Sequence, residues 1–391
     1  MFDVTAVRKL FPHTRKSIYF NVASTGPLSA PAYRLQDDHY HRAQMANVGN
    51  QVEIFAALKK VRSNAAKIFG CKNTEAGFGF NTTFGINLAA FGLPLKSGDE
   101  VLLSDVEFPA NVYPWLELRN RGIKVKFIKS ANGFFNLDNL EKAITGKTRV
   151  LSVSFVQYFN GFKMDMDAVA DICRRHKIYL VIDAMQGAGC EPLRVKKWNV
   201  AIASAGGQKW LLSSQGTGIF YVSEEIREEL RPPWRSWLSV DWKCRWHDLR
   251  RYDMPFVDSA WQYELGTYPS PLVMSLDWAL DFLTGLGIAN IQKHNHALLD
   301  LLIDYIHNEP FYRITSSLEK KHRSSILSFT TDRADIAKVY QYLSDQRIVT
   351  SVREGSIRVS AHLYNNRQDM KYLITSLQQA TTLKSRKSIK R

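Results

Sequence analysis

Apolar residues recur along this chain with two alternating periods. Ile54, Leu58, Val61, Ala65 and Ile68 keep a helical spacing, and Gly70 supplies a stop. Residues 77–80 then lead through Asn81, Thr82 and Thr83 into an apolar helix over 84–91. From there strand-like and helix-like patterns take turns. The runs EVLLSD (100–105), VKFIKS (125–130), RVLSVSFV (149–156), YLVID (179–183), VAIASA (200–205) and GTGIFYV (216–222) read as strands. Segments 110–121 and 137–144 read as helices, and Met166, Val169, Ala170 and Cys173 stripe a third. Such alternation predicts an α/β fold, a parallel sheet covered on both faces.

The pattern changes on either side of this block. Residues 1–20 read as an arm ending in the short apolar piece Ser17, Ile18, Tyr19, Phe20, and NVASTGPLSAPAY follows, rich in small and turn-forming residues. That loop either lets backbone approach a ligand or is a plain connection. Residues 231–263 hold five of the nine tryptophans (Trp234, Trp237, Trp242, Trp246, Trp261) among many arginines. Aromatics so dense suit a pocket wall, a subunit contact or a packed loop layer. Beyond Leu272 a helical stripe (Leu299, Leu302, Ile303, Ile306), two strands (326–332, 356–364) and a helix between them (336–343) predict a small α+β domain. The expected organisation is a large domain over 20–265 and a small domain formed by 1–19 with 266–380. A basic tail, 381–391, is expected to be disordered.

Composition changes this picture little. A hydrophobic share of 45% with 23% charged residues is that of an ordinary globular protein. No apolar run approaches a bilayer span, and the amino terminus lacks the core of a secretory signal. Cys71, Cys173, Cys190 and Cys244 show no CxxC spacing and read as reduced thiols of a cytoplasmic protein, and no metal-ligand set is expected. The net charge of +15 invites a nucleic-acid partner, but the last eleven residues alone carry five basic side chains and no acid. With no zinc-knuckle or RRM-type signature, a basic surface that attracts anionic substrates or aids solubility is the better reading.

Polar residues cluster just after the predicted strands: Asp105, Glu107, Gln157, Asp183, Gln186 and Lys209. In open α/β sheets ligands bind at the carboxyl ends of the strands. Asp183 closes one strand, and Lys209 follows its neighbour after Gly206, Gly207 and Gln208. An acid and a lysine at one sheet edge suit a cofactor with a basic ring nitrogen and an aldehyde. Thr82 and Thr83 at a helix start read either as an N-cap or as an anion site. Arg358, among apolar neighbours, has the character of an arginine that meets a carboxylate.

Taken in order, NTTFGIN, EFPANVYPW, VSFVQYFNG, LVIDAMQGAG, GGQKWLLSSQGTGIFYV, ELGT and IRVS resemble the class V aminotransferase family of pyridoxal 5′-phosphate (PLP) enzymes. These have the type I aminotransferase fold and include cysteine desulfurases and isopenicillin N epimerase-like proteins. The resemblance runs over nearly the whole chain. It implies that Lys209 forms a Schiff base with PLP and later moves the Cα proton. Asp183 would pair with the pyridine nitrogen, Phe108 would stack on the ring, and Gln186 would bond the phenolate oxygen. Thr82, Thr83 and Gln208 would hold the phosphate, and Gly266 and Thr267 would reach it from a second subunit, implying a homodimer with shared sites. Arg358 would clamp the substrate carboxylate.

Departures narrow the chemistry that the resemblance implies. Phe108 replaces the ring-stacking histidine of desulfurases, Gln208 replaces the histidine before their lysine, and Phe155 replaces a common asparagine. The segment QRIVTSVREGSIRVS, where desulfurases carry their nucleophilic cysteine nearby, has none, and Cys244 lies in another segment. The expectation is therefore a transaminase acting on a small amino acid or amine. A C–S or other β-lyase or an epimerase is the alternative, a non-catalytic PLP-fold binding protein comes behind both, and the missing cysteine argues against a desulfurase.

Overall fold

The structure is a computed structural model that describes residues 2–47, 51–242 and 248–382. Cys244, Trp246 and the tail beyond Thr382, all named above, lie outside the described residues. Seven strands form the central sheet, in the spatial order Ala76–Gly79, Gly218–Val222, Val200–Gly206, Tyr179–Asp183, Thr148–Ser154, Glu100–Ser104, Lys124–Ile128. Gly218–Val222 runs antiparallel to both its neighbours, and every other pairing is parallel. Four strands are buried throughout, and Thr148–Ser154 and Tyr179–Asp183 are half-covered only at Arg149 and Tyr179, as near-continuous apolar runs require. Lys124–Ile128 is the exception, an edge strand whose Lys124 and Phe127 are exposed and whose Ile128 alone is buried. Lysine on an edge discourages pairing with another chain.

Helices cover both faces of this sheet. Thr82–Gly92 crosses over Val200–Gly206, and the approach is close because Gly85 has no Cβ: one placed there would lie 2.4 Å from the Cβ of Ser204. Gln51–Phe69 packs on Ala76–Gly79 and against the long helix Ser270–Leu286. One expected helix is shorter than its pattern. Over 110–121 the chain forms a 3-10 turn, the five-residue helix Tyr113–Glu117 and a second 3-10 turn. Pro109 and Pro114 open the first turn and the helix, where the missing N–H is tolerated, so each marks a new start. Ala30–Gln44 is a helix that the apolar pattern did not announce, since Ala32 is its one buried residue. Among the described residues no single helix is long and apolar enough to cross a membrane.

A second sheet has four antiparallel strands, Ser351–Arg353, Ser356–Ser360, Ile326–Thr330 and Arg313–Ile314. Its core, including Phe329, Val339, Leu343, Ile357 and Val359, lies against Ile288–His307, Ile336–Asp345 and Arg367–Ala380. The N-terminal strand Ile18–Tyr19 pairs in parallel with Ile348–Val349.

The small-residue loop that follows joins the two sheets through three main-chain groups. Ala23 N–H donates to Ser360 Oγ (3.1 Å), Ala23 C=O accepts from Gln186 Nε2 (3.0 Å), and Gly26 N–H donates to Gln208 C=O (2.7 Å). A Cβ on Gly26 would stand 2.2 Å from the Lys209 carbonyl oxygen, which is backbone and cannot swing aside. Gly26→Ala should therefore cost about 1–3 kcal/mol of stability, the usual range for overpacking, and weaken PLP retention. Thermal denaturation and a PLP titration measure the two effects.

Candidate active site

Register brings the polar groups to one edge. Ser154 pairs with Asp183 and Asp183 with Ser204, so three parallel strands reach one edge, two ending level and the third running on to Gly206, and release their loops side by side. These loops, the start of Thr82–Gly92 and the arginine strand Ser356–Ser360 surround a cavity of about 280 Å³, near the lower end of small-molecule sites. Of the residues expected there, Thr82, Thr83, Phe108, Asp183, Gln186, Gln208, Lys209 and Arg358 all line it. Gly266 and Thr267 do not. Thr267 borders a separate hollow with Phe55 and Leu238, while Gly266 N–H donates to Ser236 Oγ at 2.9 Å. Their segment is anchored by buried Glu264, which accepts from Arg62, Tyr268 and the backbone of Phe78.

Asp183 is 4% exposed, and its Oδ1 accepts from Met185 N–H at 2.8 Å. Burial, reinforced by the nearby Glu107 carboxylate, pushes its pKa up to about 7 against the opposing pull of Lys209. Lys209 sits beyond a turn that requires Gly207, where a Cβ would lie 2.0 Å from Thr217 Oγ1. Burial lowers the lysine to about 8; Asp183 opposes the shift while Arg358 and Arg353 add to it. The amine lies 5.5 Å from the centroid of the Phe108 ring, and that ring is 42% exposed. Such an uncovered aromatic face at a cavity mouth suits a planar ligand.

Asn81, not the threonine pair, caps the helix: its Oδ1 accepts from Phe84 N–H at 2.9 Å. Thr82 Oγ1 accepts from Gly206 N–H (3.0 Å), fastening the helix start to the lysine turn. The first-turn N–H groups of Thr82 and Thr83 have no intrahelical partner and stand at the positive end of the helix dipole. Gln186 is committed at both ends, donating to Ala23 C=O and accepting from Trp210 Nε1 at 2.8 Å, which leaves one amide hydrogen for a ligand. Arg358 is 1% exposed; its terminal nitrogens donate to Tyr158 C=O and to Ser24 Oγ, and its Nε has no partner. Burial, then Arg353, holds this guanidinium down at about 9.

Several lining residues escaped the sequence reading. Ser24 was covered only by the general expectation that its small-residue loop approaches a ligand. Arg353 sits two residues before the Gly355 turn and gave no apolar context. Glu107 was legible as a polar residue after a strand, but its surroundings were not: Ser154, Gln157 and Asn111 all donate to its carboxylate, and Asn111 in turn accepts from Ser152. Burial drives Glu107 upward despite these bonds. Cys71, Cys173 and Cys190 are free thiols and none lines the cavity. Burial pushes Cys71 and Cys173 up to about 12, which makes them inert.

The class V aminotransferase model matches residues 18–382. The chain belongs to that family. An uncharacterised aminotransferase of Bacillus subtilis, YcbU, is 24% identical over 95% of this chain and 96% of its own length. A probable cysteine desulfurase of Methanothermobacter thermautotrophicus is 25% identical over 95% and 97%. Among solved structures, the apo cysteine desulfurase of Thermococcus onnurineus superposes with a TM-score of 0.83 at 22% identity, covering 97% of this chain and 98% of that one. The cystine C–S lyase C-DES, solved with its product cysteine persulfide, gives 0.84 at 20% identity, over 96% and 100%. These likenesses bear out the type I fold, and family membership makes PLP the cofactor. The residues present fit that group: a buried acid, a depressed lysine amine, an open aromatic face and free helix N–H groups around one cavity.

Asp183 yields a test on the cofactor-free protein. A carboxyl raised from 3.8 to about 7 is tolerated while protonated, so its ionisation costs stability progressively as pH rises from about 4 to 7. Asp183→Asn removes that cost and keeps the acceptor for Met185. The apo variant should melt a few degrees above the apo wild type at pH 8, with the gap closing towards pH 4. Equal melting points at pH 8 would contradict the buried-charge account.

Proposed function

We propose that this enzyme is an aminotransferase acting on a small amino acid or amine, with Lys209 moving the α proton. The observation that carries the reading is the meeting of Lys209, Asp183 and Arg358 on one cavity that no described cysteine lines. Bound PLP supplies an aldehyde and a ring that accepts the electrons of a broken Cα bond. Lys209, with its pKa drawn down to about 8, is able to take and return a proton near neutral pH. Asp183 would hold the proton on the ring nitrogen, and a cation there relieves the burial that otherwise keeps this acid neutral. The Thr82 and Thr83 N–H groups and the Gln208 amide would receive the phosphate, and Phe108 would cover the ring. The partnerless Nε of Arg358 completes a fork for the substrate carboxylate. Gly266 and Thr267 would contribute only from a second copy of the chain, consistent with a homodimer.

β-Elimination at a C–S bond is the second reading, favoured by the curated relatives named cysteine desulfurases. It needs the same proton removal and a leaving group on Cβ. A persulfide-forming desulfurase requires a mobile thiol beside the substrate, and the described thiols do not line the cavity and are raised in pKa by burial.

The product separates the first two readings. With an added keto acid, transamination yields a new amino acid, whereas elimination releases pyruvate and ammonia without any acceptor. PLP-loaded protein should be yellow, and Lys209→Ala should lose both that colour and turnover by at least about a thousand-fold, the scale on which an essential proton-transfer group acts. A wild type that cannot be loaded with PLP would overturn the reading. Arg358→Ala should raise KM for α-carboxylate substrates by about ten-fold or more, the worth of a charged pair, with a smaller effect on amines lacking the carboxylate.

A further inference from the structure

The cavity holds more positive charge than one substrate carboxylate explains. Arg353 lines it beside Arg358, on the neighbouring antiparallel strand. Their Nη2 atoms share one acceptor, Ser24 Oγ, at 3.3 Å from Arg353 and 2.6 Å from Arg358. Arg353 otherwise donates only to the carbonyl of its neighbour Val352. Among the described residues neither guanidinium forms a salt bridge. The nearby Glu354 is exposed and accepts instead from Tyr158 Oη at 3.2 Å. Asp183 is buried and already bonded to Met185. Two adjacent guanidinium groups repel each other, and holding them together in a half-buried cavity is costly unless an anion meets each. A monocarboxylate satisfies one.

We propose that Arg353 is a second anion receptor beside Arg358, and that the substrate is a short α-amino dicarboxylate of the L-aspartate type. One carboxylate takes the Arg358 fork and the other takes Arg353, with Ser24 as the hinge between them. The shared acceptor keeps the two guanidinium groups close, which matches the short span between the carboxylates of aspartate. This assignment rests on the amino-acid reading above, yet it concerns binding alone.

Succinate and butyrate separate the two claims, because neither carries an amino group and both can bind without chemistry. Calorimetry on the PLP-loaded protein should find succinate bound about ten-fold or more tighter than butyrate, the worth of one charge-assisted contact. Arg353→Gln should abolish that ratio, and Arg353→Lys, which keeps the charge but loses the fork, should retain part of it. Equal binding of the two acids by the wild type would overturn the proposal. So would an equal loss of both in Arg353→Gln, which would make the arginines a joint clamp on one carboxylate. Failure of Arg353→Gln to load PLP would place the residue at the cofactor instead. Selective succinate binding without turnover of L-aspartate or L-alanine would leave Arg353 as assigned and remove the aminotransferase reading.

Discussion

A carboxyl group and an amine lie buried on one cavity, and neither ionises there without cost. Burial draws Asp183 up and Lys209 down until their ordinary gap of several pH units nearly closes. The surrounding architecture exists to hold that condition. Neighbouring parallel strands place both groups at one edge, and the buried Glu107 behind them adds negative charge that Asp183 must resist. Titratable groups perturbed in this way gather where ligands bind, and in the proposed function the ligand would bring a cationic ring nitrogen to the acid and an electrophile to the amine. The strain in charge is thus a preparation for binding.

Much of this could be read from residues alone, and the reasons differ by position. Six of the seven large-sheet strands were legible as apolar runs, while Ala76–Gly79, four residues with two glycines, carried no such signal. Asp183 stood out because it closes such a run, and Lys209 because it follows one after Gly206, Gly207 and Gln208. Elsewhere the code was weaker. Ala30–Gln44 buries a single alanine and so carries no stripe. The threonines after Asn81 looked like a cap, yet Asn81 reaches the N–H of Phe84 and leaves Thr82 to bond Gly206. Arg353 faces the cavity only because a hairpin folds it beside Arg358, a relation between strands that no local pattern contains. Gly266 and Thr267 lie off the cavity of this chain, so their proposed contribution would have to come from a second copy.

The relatives sharpen a contrast between scaffold and lining. About a fifth of positions suffice to keep the fold over nearly the full length of the solved neighbours. Here a phenylalanine faces the lysine amine, a glutamine precedes the lysine, and paired guanidinium groups occupy the far wall. Under the proposed function these side chains would serve anion recognition.

The loop from Asn21 to Gly26 has one more consequence. Its three main-chain bonds tie the strand bearing Arg358, the amide of Gln186 and the peptide preceding Lys209 into a single frame. Two jaws hinged at a flexible neck would let the arginine wall swing while the lysine stayed still. The bonded loop opposes that freedom. A pull on the arginine strand would pass through it to the lysine turn, so the proposed grip on a substrate's acid end and the proposed aim of the Lys209 amine would be mechanically coupled.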